Sequence, residues 1–231
     1  MTTRISYLHH SGFLVSHGEH HLIFDCITPN SPLVQQALDS GQKVLVFASH
    51  SHPDHFDWHV ADWQRDGQVE LIFGRDIFKR YPAHFMKSME RLSVLGAQIS
   101  AYPSTDKGVS FYVSLPGLDV FHAGDLNDWH FRDVASNADA DAAHQKYLRA
   151  LVQLPKSADI AMFPVDPRLG SDHDLGARLL IAHMHPRLLI PMHWWEQKDV
   201  PRTFAKQTFE GTQIVALTER DQQMQYEFDS P

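Results

Sequence analysis

Four potential metal ligands fall within six positions: His50, His52, Asp54 and His55, in the run His50-Ser51-His52-Pro53-Asp54-His55. Imidazole binds zinc, iron and nickel, and carboxylate suits harder ions, so the mixture is that of a hydrolytic metal centre. His50 and His52 stand two apart, which on extended backbone puts both side chains on one face and within reach of a single ion. Pro53 interrupts strand pairing. A chain turning at Asp54 and His55 aims those neighbours differently, which favours a second ion beside the first. Two such ions can clamp an attacking and a leaving oxygen and hold a hydroxide at neutral pH. Composition alone would also fit a histidine-rich polar loop. Against that, the motif follows directly on Val44 to Ala48, a continuous apolar run that reads as a buried strand.

A His-X-His-X-Asp-His run after a hydrophobic strand resembles the signature of the metallo-β-lactamase superfamily. The resemblance implies further ligands at later strand ends. Val120-Phe121-His122-Ala123-Gly124-Asp125 fits the motif in which a Gly-Asp pair closes a strand, and implies Asp125 as the carboxylate that bridges both ions. Ile190-Pro191-Met192-His193 resembles the segment with the last histidine, and implies His193 beside Asp54 and His55 on the second ion. Asp25, at the end of an earlier strand, matches an aspartate that supports the metal loop from behind; a plain turn residue is the alternative.

One ligand of the pattern is missing. The superfamily places a histidine between the first motif and the Gly-Asp motif, and here residues 101–108 read Ala-Tyr-Pro-Ser-Thr-Asp-Lys-Gly. His122 is one stand-in, although three positions before Asp125 it faces the opposite way on a regular strand unless the chain bends at Gly124. A buried or supporting role for His122 is the alternative. Asp106 and Ser104 are further stand-ins, and His84 lies in a Met-rich stretch that reads as helical. The cofactor expectation is two divalent ions, zinc with manganese or iron as alternatives, the first site incomplete.

Other polar and aromatic residues fall near the same strand ends. Asp166 and Arg168 follow an apolar run ending at Phe163, and Trp194 and Trp195 follow His193. They are candidates for substrate contact, Arg168 through paired hydrogen bonds to an anion and Trp194 as a pocket wall, against turn chemistry and ordinary packing. Trp129 and His130 share that choice. His9 and His10 precede a glycine and can line the cleft. His17, His20 and His21 read as a solvated hairpin.

The elements that must position these groups are legible from punctuation and periodicity. Short apolar runs at 5–8, 13–16 and 22–24 form a meander, Ser31-Pro32 opens a helix, and strands follow at 44–48 and 69–73. Residues 75–92 read as partly helical, broken at Pro82. Strands at 99–102, 109–115 and 118–121 come next, with Pro116-Gly117 as a hairpin turn, then 158–163, 187–190 and 213–217. Tyr147, Leu148, Leu151 and Val152, and then Leu175, Leu179 and Ala182, recur at helical spacing as core faces. Asp172-His173-Asp174 reads as cap chemistry. The pattern predicts an α+β fold: a single domain over 1–231, built as an αββα sandwich of two facing mixed sheets flanked by helices.

The 231 residues are 43% hydrophobic, enough for a substantial core. With 28 acidic and 20 basic residues the formal charge is -8, which makes a nucleic-acid partner unexpected. Bound divalent ions would still make the local field positive. Cys26 is the only cysteine, no apolar run reaches membrane-spanning length, and residues 1–20 show no signal-peptide pattern; a cytoplasmic protein acting on a small molecule is expected. The resemblance implies a hydrolase in which a metal-bound hydroxide, oriented by Asp54, attacks a small ester or phosphodiester. The Gly-Asp segment is similar to that of small members known only as metal-dependent hydrolases. The alternatives are a non-catalytic metal-binding scaffold of the same fold, and an iron redox protein.

Overall fold

The computed structural model describes residues 2–78 and 80–228. Strand β4 (Lys43–Ala48) shows how the layers are built. Leu45 and Phe47 point between the two sheets, and Val44, Val46 and Ala48 point outward into a second cluster with Val34, Ala37 and Leu38 of α1 (Pro32–Leu38). Both faces are covered, so the sequence is continuously apolar rather than alternating.

The first sheet contains β1 (Thr2–His9), β2 (Gly12–His17), β3 (His20–Phe24), β4, β5 (Val69–Gly74), β6 (His84–Met86) and β14 (Gln223–Glu227), in the order β14-β1-β2-β3-β4-β5-β6. The second contains β7 (Arg91–Val94), β8 (Ala97–Pro103), β9 (Val109–Leu115), β10 (Leu118–His122), β11 (Ile160–Pro164), β12 (Leu188–Met192) and β13 (Gln213–Ile214), in the order β13-β12-β11-β10-β9-β8-β7. Each sheet is antiparallel on one side and parallel on the other: β3 to β6 run parallel in the first, and β10 to β13 in the second. Helices α2 (Asn137–Leu151), α3 (Leu175–Met184) and α4 (Asp199–Phe204) connect the parallel strands of the second sheet. The result is the αββα sandwich. No helix among the described residues is long and apolar enough to cross a membrane.

Several expectations are corrected. Residues 75–92 contain β6 and the start of β7 rather than helix, because β6 extends the parallel edge beside β5. The strand expected at 213–217 shortens to β13. The core face of α3 is Gly176, Ala177, Leu180, Ile181 and Met184, one position off the expected stripe, and Ala182 is exposed. The Asp174 side chain does not cap α3; it accepts from Arg178 and Gln207 instead. His17 and His20 are buried, not solvated. Their Nε2 atoms reach the carbonyls of Pro116 and Leu95, tying the β2–β3 hairpin to the opposite sheet.

Candidate metal centre

Parallel strands deliver their C-terminal ends to one edge of the sandwich, the usual place for a ligand in such sheets. β4 ends into His50 to His55, β10 into Asp125, β11 into Asp166 and β12 into His193. The β1–β2 turn adds His10 and the β8–β9 loop adds Asp106. Two groups of possible ligands result among the described residues. His10, Asp54, His55 and His193 form one, and His50, His52, Asp106 and Asp125 the other; within each group the ligand atoms all lie within 4.8 Å of one another.

Asp125 sits between them. Its Oδ1 is 2.9 Å from His55 Nε2 and 3.3 Å from His193 Nε2, and its Oδ2 is 3.2 Å from His50 Nε2 and 3.9 Å from His52 Nδ1. In the first group His10 Nε2 and His193 Nε2 approach Asp54 Oδ2 at 3.4 and 3.9 Å. In the second, His52 Nδ1 lies 3.0 Å from His50 Nε2 and 3.7 Å from Asp106 Oδ2.

The ring nitrogens are oriented from behind. His55 Nδ1 donates to Asp25 Oδ2 at 2.7 Å, and His193 Nδ1 to Asp166 Oδ2 at 2.8 Å. Ser49 Oγ gives its proton to Asp25 Oδ2, so it accepts from His50 Nδ1 at 2.9 Å. In the neutral rings, each of these three Nε2 lone pairs is therefore turned into the site. Asp25 also accepts from Ser49 N at 2.7 Å, so one buried carboxylate holds both the end of β4 and the first ring of the motif's second half. Its supporting position matches the expectation for the strand-end aspartate.

The electrostatics match a cation site. Burial opposes ionisation of Asp125, but His50, His55 and His193 outweigh it and hold the carboxylate well below its usual range. Asp54 is lowered chiefly by the neighbouring His10 imidazole, against burial. For His55, burial disfavours charge, yet Asp25 and Asp125 on either side push its pKa up to about 10. Burial lowers His10, favouring the neutral imidazole that metals bind. His10 Nε2, His55 Nε2, His193 Nε2 and Asp125 Oδ1 are buried without a hydrogen-bond partner; the approaches between them lack hydrogen-bond alignment. An unsatisfied buried polar atom costs about 1–3 kcal/mol. One divalent cation would satisfy all four, so this donor set fits a metal.

The backbone is strained around the same point. His10, Asp25, His193 and Trp195 all have positive φ, between 40° and 60°, a conformation that costs non-glycine residues about 1–3 kcal/mol each when imposed by the surroundings. Two glycines make the β4 end accessible to the other sheet. Gly124 (φ +53°) packs where an added Cβ would lie 2.7 Å from Ser49 Cβ, and Gly108 (φ +65°) where it would overlap the Ser49 carbonyl. Gly108→Ala is expected to destabilise the chain by about 2 kcal/mol or more, from left-handed strain plus overpacking, measured as a lowered urea midpoint. An unchanged midpoint would mean the Ser49 contact yields without cost.

Sequence expectation and geometry differ at the margins. His122 joins neither group: its ring is fully buried, stacks on Phe24 and bonds Ser11 O at 2.8 Å. Asp106 instead reaches His52, carried by the same β8–β9 loop that lacks the histidine. His10, only a cleft-lining candidate by sequence, enters the other group; its signal was the His-Ser-Gly turn, which is weak without a second motif. Ser104 Oγ accepts from Asp106 N, and His84 pairs with Glu70. Asp166 holds His193 and joins no ligand group. Arg168 spends its paired donors on Asp166, with Nε and Nη2 at 2.6 to 3.0 Å, and lies 4.8 and 5.8 Å over the rings of Trp195 and Trp129. Trp194 does not wall the site. It is buried against Tyr7, while Trp195, 41% exposed, stands 4.8 Å from His10.

The model of the Beta-lactamase superfamily domain matches residues 4–193. A UPF0173 metal-dependent hydrolase of Symbiobacterium thermophilum is 22% identical over 207 residues, covering 83% of this chain and 84% of that one. Among solved structures, Igni18, a metallo hydrolase of the archaeon Ignicoccus hospitalis, superposes with a TM-score of 0.68 at 18% identity, over 99% of this chain and 100% of that one. The metallo-β-lactamase fold protein YhfI of Bacillus subtilis gives 0.67 at 14% identity, over 98% and 100%.

Proposed function

We propose, for a chain that belongs to the β-lactamase superfamily, that it is a metal-dependent hydrolase of a small ester or phosphodiester. The observation that carries this reading is three buried imidazole nitrogens without a hydrogen-bond partner, two of them (His55 and His193) converging on the Asp125 carboxylate and the third (His10) on Asp54, beside the His50–His52 pair. Relatives named metal-dependent hydrolases support it. His50, His52, Asp106 and Asp125 would hold one divalent ion, and His10, Asp54, His55 and His193 the other, with Asp125 shared. Zinc is the expected metal, with manganese or iron as alternatives. When bound, the ions supply the positive charge that activates water and stabilises the developing oxyanion.

The chain's own groups then have distinct tasks. Asp54, 30% exposed and held ionised, turns Oδ2 toward His10 and His193, and through its other carboxylate oxygen orients the attacking water and takes its proton. Asp166 fixes the His193 ring and clamps Arg168 at once. Arg168, 48% exposed between two indoles, presents its remaining Nη1 edge to an anionic group on the substrate. Trp129 donates through Nε1 to Asp125 O, so one wall of the pocket is tied to the bridging residue. We take residues 1–231 as one domain and, on its lone cysteine, as cytoplasmic.

Protein purified without chelator is expected to carry two metal equivalents by mass spectrometry and to turn over a generic phosphodiester or a lactone. His52→Ala and chelation should each abolish turnover. Metal content without turnover of any ester would favour a scaffold; absence of tightly bound metal would sink the two-metal reading.

A further inference from the structure

The two ligand groups differ in three respects. The first is donor type. His10, His55 and His193 bring three imidazole nitrogens to Asp54, whereas only two, from His50 and His52, stand beside Asp106, and both groups face Asp125. The second is exposure. His10, His55 and His193 are buried, while the side chains of His52 and Asp106 are 33% and 47% exposed. The third is what satisfies the groups when only the chain is present. The three nitrogens of the first group have no hydrogen-bond partner, but His50 Nε2 and His52 Nδ1 already bond each other at 3.0 Å.

The loop that carries Asp106 is anchored through its neighbours rather than through Asp106 itself. Thr105 Oγ1 donates to Asn127 O at 2.6 Å, Lys146 Nζ donates to Thr105 O at 2.6 Å, and Gly108 lies on Ser49. The carboxylate is thus delivered to the right place with its rotamer still to be fixed. His52, at 3.7 Å, is the one side chain it approaches as an ion pair among the described residues.

We propose that the centre loads in order and with different preferences. The His10/Asp54/His55/His193 set, whose three imidazoles are buried, takes the first ion tightly. The His50/His52/Asp106/Asp125 set takes the second more weakly, and favours a harder ion such as manganese because it has two imidazoles where the first set has three. The proposal rests on the metal-centre reading above. Its physical basis is that an ion in the first set satisfies buried imidazole nitrogens that otherwise have no hydrogen bond, against a cost of about 1–3 kcal/mol for each. An ion in the second set must break an existing bond and order an exposed carboxylate. Carboxylate oxygen shifts preference toward manganese, and imidazole toward zinc.

The test uses metal alone. Chelator-stripped full chain is titrated with zinc and, separately, with manganese by calorimetry, and bound metal is counted after desalting. Zinc should bind in two steps whose affinities differ by about tenfold or more. Asp106→Asn should weaken only the weaker step, and His10→Gln only the tighter, each by about 10- to 100-fold, at least the scale seen when groups supporting a metal ligand are lost. Asp106→His should tighten the weak zinc step and weaken manganese binding there, visible as loss of the bound-manganese resonance signal. Two equal steps, or an Asp106→Asn chain with both steps unchanged, would overturn the proposal while leaving a metal centre intact. A chain that binds neither metal would overturn the metal-centre reading with it. Asp106 is on the surface, so its variants test the proposal even if His10→Gln fails to fold.

Discussion

Asp125→Asn is expected to leave one metal ion per chain instead of two and to lower kcat/KM by about 10²-fold or more, the scale of losing one preorganised group that stabilises developing charge. The reason is its two-sided geometry. Oδ1 faces His55 and His193, and Oδ2 faces His50. An amide keeps an oxygen for one side only and puts an N–H₂ group, which cannot ligate, against the other. Because the side chain is nearly isosteric and its pocket is buried, the fold should persist, so the loss is read in metal count and turnover rather than in yield. A variant that keeps two ions and full turnover would remove Asp125 from the bridging position.

Asp25→Ala is expected to destabilise the metal-stripped chain by about 3–5 kcal/mol, the usual cost of removing one partner from a buried charged pair. That is a large share of the roughly 5–15 kcal/mol that holds a domain folded. Asp25 is fully buried and accepts from Ser49 N, Ser49 Oγ and His55 Nδ1. Removal strands all three donors, and leaves His55 without one of the carboxylates that favour its charged form. Asp25→Asn should recover little, because its amide nitrogen would donate toward groups that themselves donate. Chemical denaturation with chelator present measures the difference. If both variants unfold at the wild-type midpoint, the end of β4 is held by something other than this carboxylate.

The sequence made some of these residues legible and not others, for identifiable reasons. His50 to His55 are local: six consecutive positions after an apolar run are enough to see them. Asp125 and His193 are visible because each closes an apolar strand, and a strand end at the parallel side of a sheet is where such groups gather. Asp25 is visible only by its match to the family pattern. His10 and Asp106 lie in turns between antiparallel strands, with no periodicity to mark them. His10 meets His193 across most of the chain length through His193 N to His10 O, 3.3 Å. Asp106 is presented by Thr105 and Gly108, whose roles depend on Asn127 and Ser49 in other strands' loops. The sequence reading puts Trp194 on the pocket wall, and the structure puts Trp195 nearer the site. Left-handed backbone at His193 and Trp195 turns the second indole to the rim and leaves the first in the core.

By itself, then, the sequence determined the chemistry available and the layers that carry it: imidazoles and carboxylates at the ends of buried strands, in two sheets covered by helices. Those follow from residue type, spacing and periodicity, which are properties of a segment. Only the tertiary structure decided which candidate ligand atoms come together, that a carboxylate rather than a histidine stands beside the His50–His52 pair, and that His122 belongs to the core. Ligation depends on distances within a few ångströms between segments remote in sequence, and on which ring nitrogen is left free. Both are set by the register of the two sheets and by buried partners such as Asp25, Ser49 and Asp166.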